Sequence, residues 1–123
     1  MRYFTYKKTD RTQRLHARPY WYSWAANSTR LVYSPRKETI RVVPVGLLGH
    51  TYPARDITKI EYQFFERSYD VTTYLEVRFY LWRGERRGRA LLFNHAPVGS
   101  QRAEVLRQEC RQVREILIGW TRG

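Results

Sequence analysis

The feature that most constrains this chain is an apolar stripe near its C-terminal end. Apolar residues recur there at alternating intervals of three and four, which places them on one face of an α-helix. The stripe consists of Ala103, Leu106, Cys110, Val113, Leu117 and Trp120. Charged and polar residues fill the positions between them, as on a solvated helix face. The spacing therefore predicts a helix over residues 100–120 that begins at a Ser100 cap and packs its apolar face on another element.

The residues before this stripe alternate with the period of two that is typical of half-buried β-strands. The clearest case is Val71 to Trp82, in which one face carries Leu75, Val77, Phe79 and Leu81. Predicted strands cover residues 29–34, 39–45, 57–65, 71–82 and 90–93, with turns over 35–38, 66–70 and 84–88. These elements predict an α+β fold in which an antiparallel sheet curls into a partial barrel or sandwich, closed by the C-terminal helix.

The first part of the chain is strongly basic. Nine lysines and arginines but a single acid, Asp10, precede Glu38, and the 123-residue chain has a formal net charge of +12. Such an imbalance favours anionic partners, for which nucleic acid, lipid headgroups and acidic protein surfaces all qualify. We expect residues 1–27 to form a basic and aromatic arm and residues 28–123 to form one β-rich domain.

Candidate binding residues fall into a basic group and an aromatic group. The basic candidates are Arg83, Arg86, Arg87 and Arg89 in one hairpin, Arg14 and Arg18 in the arm, and Arg36 and Lys37 in a turn. Guanidinium groups grip phosphate or carboxylate through paired hydrogen bonds, although charges in a hairpin also discourage edge pairing. The aromatic candidates are Tyr20, Trp21, Tyr22, Trp24 and Trp82. The cluster before residue 25 either covers one end of the core or stays exposed as a contact surface.

The predicted order, hairpin-connected antiparallel strands followed by one amphipathic helix, resembles the pleckstrin-homology-like architecture over about residues 28–120. Its most suggestive local feature is Tyr52 to Ile60, where a small turn and Asp56-Ile57 lead into a strand, similar to a junction in bacterial members. The resemblance implies a module that binds lipids, peptides or proteins rather than an enzyme. In lipid-binding members a basic first hairpin grips phosphoinositide headgroups, and here that hairpin carries only Arg36 and Lys37.

Residue types that carry chemistry do not fall into catalytic or metal-binding patterns in this sequence. His16, His50 and His95 are scattered, and the single Cys110 lies on the apolar stripe, whereas metal sites need closely spaced ligands. One cysteine also excludes an intrachain disulfide and suits a reducing compartment. No two carboxylates have a spacing that marks an acid and its base. We therefore expect no catalysis, cofactor, metal or small-molecule substrate.

Two functions agree with these features. The first is a non-catalytic docking module that attaches to a larger protein assembly or an anionic membrane surface through its arm and basic hairpin. The second is a nucleic-acid-binding protein, in which basic residues neutralise phosphates and rings such as Trp21, Trp24, Tyr80 or Trp82 stack on bases. No apolar run reaches the ~18 residues of a transmembrane helix, and the first residues lack a signal peptide's apolar core. We expect a cytoplasmic protein, free or peripheral to a membrane.

Overall fold

Two antiparallel sheets and one C-terminal helix form the part of the chain that this computed structural model describes, residues 1–18, 29–43 and 49–122. The α+β prediction is thereby confirmed. Sheet A has five strands that pair in chain order: β1 (Phe4–Lys8), β2 (Gln13–Ala17), β3 (Arg30–Ser34), β4 (Thr39–Val43) and β5 (His50–Pro53). A short 3₁₀ turn, Ala54–Asp56, leads from sheet A to sheet B.

Sheet B is built around its central strand. Strand β7 (Thr72–Arg83) pairs with β6 (Ile57–Tyr69) on one side and with β8 (Arg86–Arg87) and β9 (Leu91–Pro97) on the other. The predicted alternation is confirmed on β7, because its apolar side chains point into the core. Those buried residues are Leu75, Val77, Phe79 and Leu81.

Helix α1 (Gln101–Thr121) matches the predicted helix closely. The Ser100 hydroxyl accepts a hydrogen bond from the backbone N–H of Ala103 at 3.2 Å, as expected of an N-cap. Every residue of the predicted stripe is at most 2 % exposed. Glu109, which belongs to neither predicted face, is buried beside them.

The N-terminal strands β1 and β2 belong to sheet A, so residues 4–8 and 13–17 of the predicted arm pair with the β-rich domain. Phe4 lies opposite Ala17, and both side chains are fully buried, as is Leu15 of β2. Phe4 also reaches sheet B, where its ring meets Phe79 edge to face with centroids 5.8 Å apart. Two apolar side chains on alternate positions are enough to bury one face of a strand as short as β2.

Strand β6 is longer than predicted, and the turn predicted over residues 66–70 is wrong. Pairing with β7 continues until Tyr69 lies opposite Thr72. The turn is therefore only Asp70 and Val71, and Asp70 has a left-handed φ of 53°. Aspartate is among the few residues that adopt this conformation readily. The turn was predicted too early because the outer half of this hairpin is polar, although its strands are still paired.

Strand β9 lacks alternation in the sequence because it contains a β-bulge. Leu92 and Phe93 together lie opposite the single residue Arg78. Leu92 takes a left-handed φ of 55° and is fully buried. Phe93 consequently turns to the outer face, where the guanidinium of Arg78 lies 5.1 Å from its ring centroid.

Two buried polar side chains connect the first strand to the end of the chain. The amide of Asn94 in β9 donates hydrogen bonds to the backbone carbonyls of Tyr3, at 2.8 Å, and of Arg18, at 3.2 Å. The carboxylate of Glu109 accepts one from the backbone N–H of Tyr3 at 2.8 Å. Unpaired backbone groups are costly when buried, so these side chains stabilise the docking of β1.

The last turns of α1 pack on sheet A. The Trp120 ring stacks on Tyr33, with centroids 5.4 Å apart and planes 13° apart. The Trp120 indole N–H donates to Oε1 of Gln13 at 2.8 Å, and the same oxygen accepts from the Tyr6 hydroxyl at 2.6 Å. Because α1 also contacts β6 and β9, the helix bridges both sheets.

The placement of α1 is tested by Leu106→Asp. Leu106 is fully buried, so the variant would bury an unpaired carboxylate and is expected to lose more than ~4 kcal/mol of stability. Circular dichroism melting measures this loss. The matched control is Gln108→Asp, on the exposed face of the same helix. Unchanged melting of the Leu106 variant would contradict the observed packing.

The role of Glu109 is tested by comparing two substitutions. Glu109→Ala removes the acceptor for the Tyr3 N–H and is expected to cost about 1–3 kcal/mol, whereas Glu109→Gln keeps an acceptor oxygen and should cost less. Urea unfolding measures both, with Glu115→Ala on the exposed face as the control. If Glu109→Ala proved as stable as Glu109→Gln, the hydrogen bond to Tyr3 would not hold β1 in place.

Candidate anion-binding surfaces

The predicted basic hairpin forms between β7 and β8. Arg83 lies opposite Arg86, and Trp82 lies opposite Arg87. Gly84 turns the chain with a left-handed φ of 61°. The side chains of Arg83, Arg86, Arg87 and Arg89 are all exposed. These four arginines are named the hairpin surface.

Two arginines of the hairpin surface are held in place by aromatic rings. The Arg83 guanidinium lies 4.5 Å from the ring centroid of Tyr52 in β5, and that of Arg87 lies 4.4 Å from the ring centroid of Tyr80. None of the four arginines forms an ion pair with a carboxylate among the described residues. The hairpin surface therefore presents oriented guanidinium groups with unpaired charge.

The basic turn of Arg36 and Lys37 lies at the same end of the molecule. Its last residue, Glu38, accepts a hydrogen bond through its backbone carbonyl from the N–H of Ala54 at 2.8 Å. The 3₁₀ turn that begins at Ala54 leads directly into β6, whose first residue pairs opposite Arg83. Two sets of candidates that are distant in sequence are thus brought beside one another.

A second basic surface lies on the outer face of sheet A, where the sequence analysis had proposed only Arg14. In one row across the strands, Lys7 lies opposite Arg14, Arg14 opposite Val32, and Val32 opposite Arg41. Arg30 follows in the next row. The inward positions of the same strands carry the core residues, so these side chains point outward. Lys7, Arg14, Arg30 and Arg41 are all exposed and are named the cationic face.

The cationic face has no neutralising acid. No aspartate or glutamate occupies an outward position on the described strands of sheet A, and none of the four residues forms an ion pair with a described residue. Lys7 and Arg14 are direct cross-strand neighbours, an arrangement that costs stability when the charges are alike. The face therefore carries repulsion that an anionic ligand would relieve.

A histidine within the cationic face responds to this positive field. Burial lowers the pKa of His16 from its ordinary value of 6.5, and the charges of Arg30, Lys7 and Arg18 lower it further. Burial also lowers the pKa of His95 on β9, without a contribution from neighbouring cations. Burial thus lowers the pKa of both histidines, whereas neighbouring positive charges lower only that of His16.

The predicted aromatic contacts are only partly open to a ligand. Tyr80 is 6 % exposed and lies under Arg87, so its ring has no free face for stacking. Trp82 is half-buried, and the ammonium of Lys59 lies 5.3 Å from its ring centroid. The other predicted aromatic candidates, Tyr20, Trp21, Tyr22 and Trp24, lie outside the described residues.

The remaining outer face of sheet B is internally paired. Glu76 is buried and lies 3.0 Å from Arg67 and 3.9 Å from Arg78. The Arg78 guanidinium also lies over the rings of Phe65 and Phe93. The charge of Arg78 is therefore already compensated, in contrast to the charges of the cationic face of sheet A.

The described part of the chain lacks a metal-binding cluster and a membrane-spanning helix. It contains no group of three or more metal-binding side chains and no helix long and apolar enough to cross a membrane. Burial and the neighbouring Glu109 raise the pKa of the Cys110 thiol far above its ordinary value, which disfavours a nucleophilic thiolate. No family model, curated protein or solved structure matches this chain.

The field of the cationic face is tested by Arg30→Gln. Removing this charge is expected to raise the pKa of His16, while the pKa of His95 stays unchanged. Since the folded state lowers the pKa of His16, its stabilising contribution is complete above pH 6.5 and is lost as the pH falls through the folded value. NMR titration of the imidazole protons measures both pKa values. A constant His16 pKa in the variant would contradict the proposed field.

Proposed function

We propose that the chain is a non-catalytic docking module that attaches to a larger protein assembly or an anionic membrane surface through the hairpin surface. The observation that carries the proposal is the group of four exposed arginines without a carboxylate partner among the described residues. Arginine presents a planar array of donors that matches carboxylate and phosphate oxygens. A pair of such residues on one hairpin can therefore grip an anion in a defined orientation.

The cation–π contacts support this proposal because they restrict the arginines before a ligand binds. Ordering a free arginine side chain costs roughly 0.5–1.5 kcal/mol on association. Arg83 and Arg87 already rest on Tyr52 and Tyr80, so part of that cost is met within the fold. Arg36 and Lys37, at the same end, add positive charge that attracts the same partner.

The proposal also covers how the two sheets are arranged. We propose that the two sheets form the partial barrel of a pleckstrin-homology-like domain, with α1 closing one end. The bonds from Asn94 to Tyr3 and Arg18, which link the two sheets, and the contact of α1 with both sheets support this arrangement. Domains of this architecture serve as binding modules, which agrees with docking.

Nucleic-acid binding is the second candidate, and one observation favours it. The rings of Tyr80 and Trp82 are covered, so base stacking on sheet B gains no support. The cationic face, by contrast, presents unneutralised charge on an open sheet. These observations therefore favour a nucleic-acid contact through phosphates rather than through bases.

Docking through the hairpin surface is tested by replacing Arg83, Arg86, Arg87 and Arg89 together with glutamine. We expect the unaltered protein to float with vesicles rich in phosphatidylserine, or to bind poly-L-glutamate, at low salt. The quadruple variant should lose at least about tenfold in affinity, since each phosphate or carboxylate contact of an arginine contributes of the order of 1 kcal/mol.

The matched control replaces Arg102, Arg111, Arg114 and Arg122, four exposed arginines of α1 and its C-terminal end, with glutamine. Both variants lose the same charge, so a difference between them reports the site and not the net charge. Equal losses would contradict a specific hairpin surface. Failure of the unaltered protein to bind either ligand would contradict docking on an anionic partner of these kinds.

A further inference from the structure

We infer that the cationic face of sheet A binds the sugar–phosphate backbone of a nucleic acid. The inference rests on the proposed function in one respect, namely that this chain binds an anionic macromolecule. It adds a second surface, made of Lys7, Arg14, Arg30 and Arg41, and assigns that surface a chemical class of partner. The hairpin surface lies at the β7–β8 hairpin of sheet B and is not required for this contact.

The four cations are arranged as a line rather than as a cage. Lys7, Arg14 and Arg41 stand on strands β1, β2 and β4 in one row across the sheet. At about 4.8 Å between strands, the row spans roughly 14 Å. Arg30 stands beside the row, two residues from Val32 along β3 and on the same face. Such a row suits a linear polyanion, whose phosphates follow one another along a chain.

The electrostatics of the face require a partner with several charges. Its cations repel one another, and no outward acid on the described strands neutralises them. Within the face, burial lowers the pKa of His16, and the charges of Arg30, Lys7 and Arg18 lower it further. A polyanion would relieve the repulsion at all four positions and release its own counterions, which is the main source of non-specific nucleic-acid affinity.

Small hydroxyl side chains surround the cations. Thr5, Ser34, Thr39 and Thr51 occupy outward positions of the same sheet. None of these hydroxyls forms a hydrogen bond with another described residue. Serine and threonine hydroxyls, with arginine and lysine, are the usual donors to phosphate oxygens. The face therefore has the donor types for a backbone contact.

The same face lacks what a membrane or a protein partner would use. Binding at a lipid interface depends on apolar side chains that enter the bilayer as well as on charge. The exposed large apolar residues of the described chain are Met1, Phe65, Tyr69, Val71 and Val98, none of which lies on this face. Its own apolar residues among the described strands are Val32, Val43 and Pro53, all half-buried. Protein interfaces are enriched in aromatic residues at their centre, and the described strands place no Phe, Tyr or Trp on this face.

The predicted contact is independent of base sequence. Arginine and lysine on an open sheet reach phosphates, and phosphate contacts carry no direct sequence information. The protein should therefore bind oligonucleotides of different sequence with similar affinity. The logarithm of that affinity should fall steeply with the logarithm of salt concentration.

The experiment measures fluorescence anisotropy of a labelled 20-mer of thymidine and of a mixed-sequence 20-base-pair duplex, each over a series of salt concentrations. One variant replaces Lys7, Arg14, Arg30 and Arg41 with glutamine. The matched control replaces the four arginines of the hairpin surface, which removes the same charge from another site. Vesicles rich in phosphatidylserine serve as the competing anionic ligand.

We expect the unaltered protein to bind at least one of the two oligonucleotides. The cationic-face variant should lose about tenfold or more in affinity at low salt, and its salt slope should fall by about 3, since each phosphate contact contributes roughly 0.7 to 0.9. The hairpin variant should change by no more than about threefold, because its four arginines lie outside the row that would contact the phosphates. Bound oligonucleotide should also raise the pKa of His16.

Several outcomes would overturn the inference while leaving the proposed function intact. They are binding to vesicles but to neither oligonucleotide, and loss of oligonucleotide binding in the hairpin variant but not in the cationic-face variant. Equal losses in both variants would also overturn it, because net charge and not the face would then be responsible. If the protein bound neither oligonucleotides nor vesicles nor poly-L-glutamate, the proposed function itself would fail.

Misfolding of the cationic-face variant is guarded against in two ways. Removing like charges from neighbouring strands should leave its melting temperature equal or higher, which circular dichroism checks. The double variant Lys7→Gln, Arg41→Gln alters only exposed positions at the two ends of the row and should show about half of the slope change. An unchanged slope in a folded double variant would count against the inference.

Discussion

The fold depends on burial of the apolar stripe of α1 between two sheets. Leu106, Val113 and Leu117 leave water completely, and each such side chain contributes roughly 1.5–3 kcal/mol when fully buried. The same helix reaches sheet A through Trp120 and the first strand through Glu109. Neither sheet buries its inner face without this helix, because the helix contacts β6 and β9 on one side and Tyr33 on the other.

A core built from inward faces leaves the outward positions of the strands free for other purposes, and the two sheets use them differently. Over the centre of sheet B, away from the hairpin surface, Arg67 and Arg78 face the buried Glu76 and aromatic rings. On sheet A the outward charges are left uncompensated. The contrast lies between two faces of one small domain, so overall basicity does not explain it.

Features that local periodicity sets could be predicted from the sequence, whereas features that depend on strand pairing could not. The helix and the inward residues of β7 follow from spacing alone, because each residue's face is set by its own element. Strand β2 was missed, since only Leu15 and Ala17 mark its inner face. The cationic face was missed because Lys7, Arg14 and Arg41 become neighbours only through strand register, which no single segment encodes. The burial of Glu109 could not be predicted for the same reason, because its hydrogen-bond partner, Tyr3, is more than a hundred residues away.

That long-range bond has a consequence for how the protein is made. Since Tyr3 is held by Asn94 and Glu109, the opening segment of the polypeptide gains its native neighbours only after nearly the whole domain has emerged from the ribosome. Phe4 gains its ring contact with Phe79 only after β7 has been synthesised. Topologies with such distant contacts fold in milliseconds to seconds rather than microseconds. The segment that carries Lys7 and Arg14 therefore completes its native contacts late, and its positive charge favours solubility during that interval.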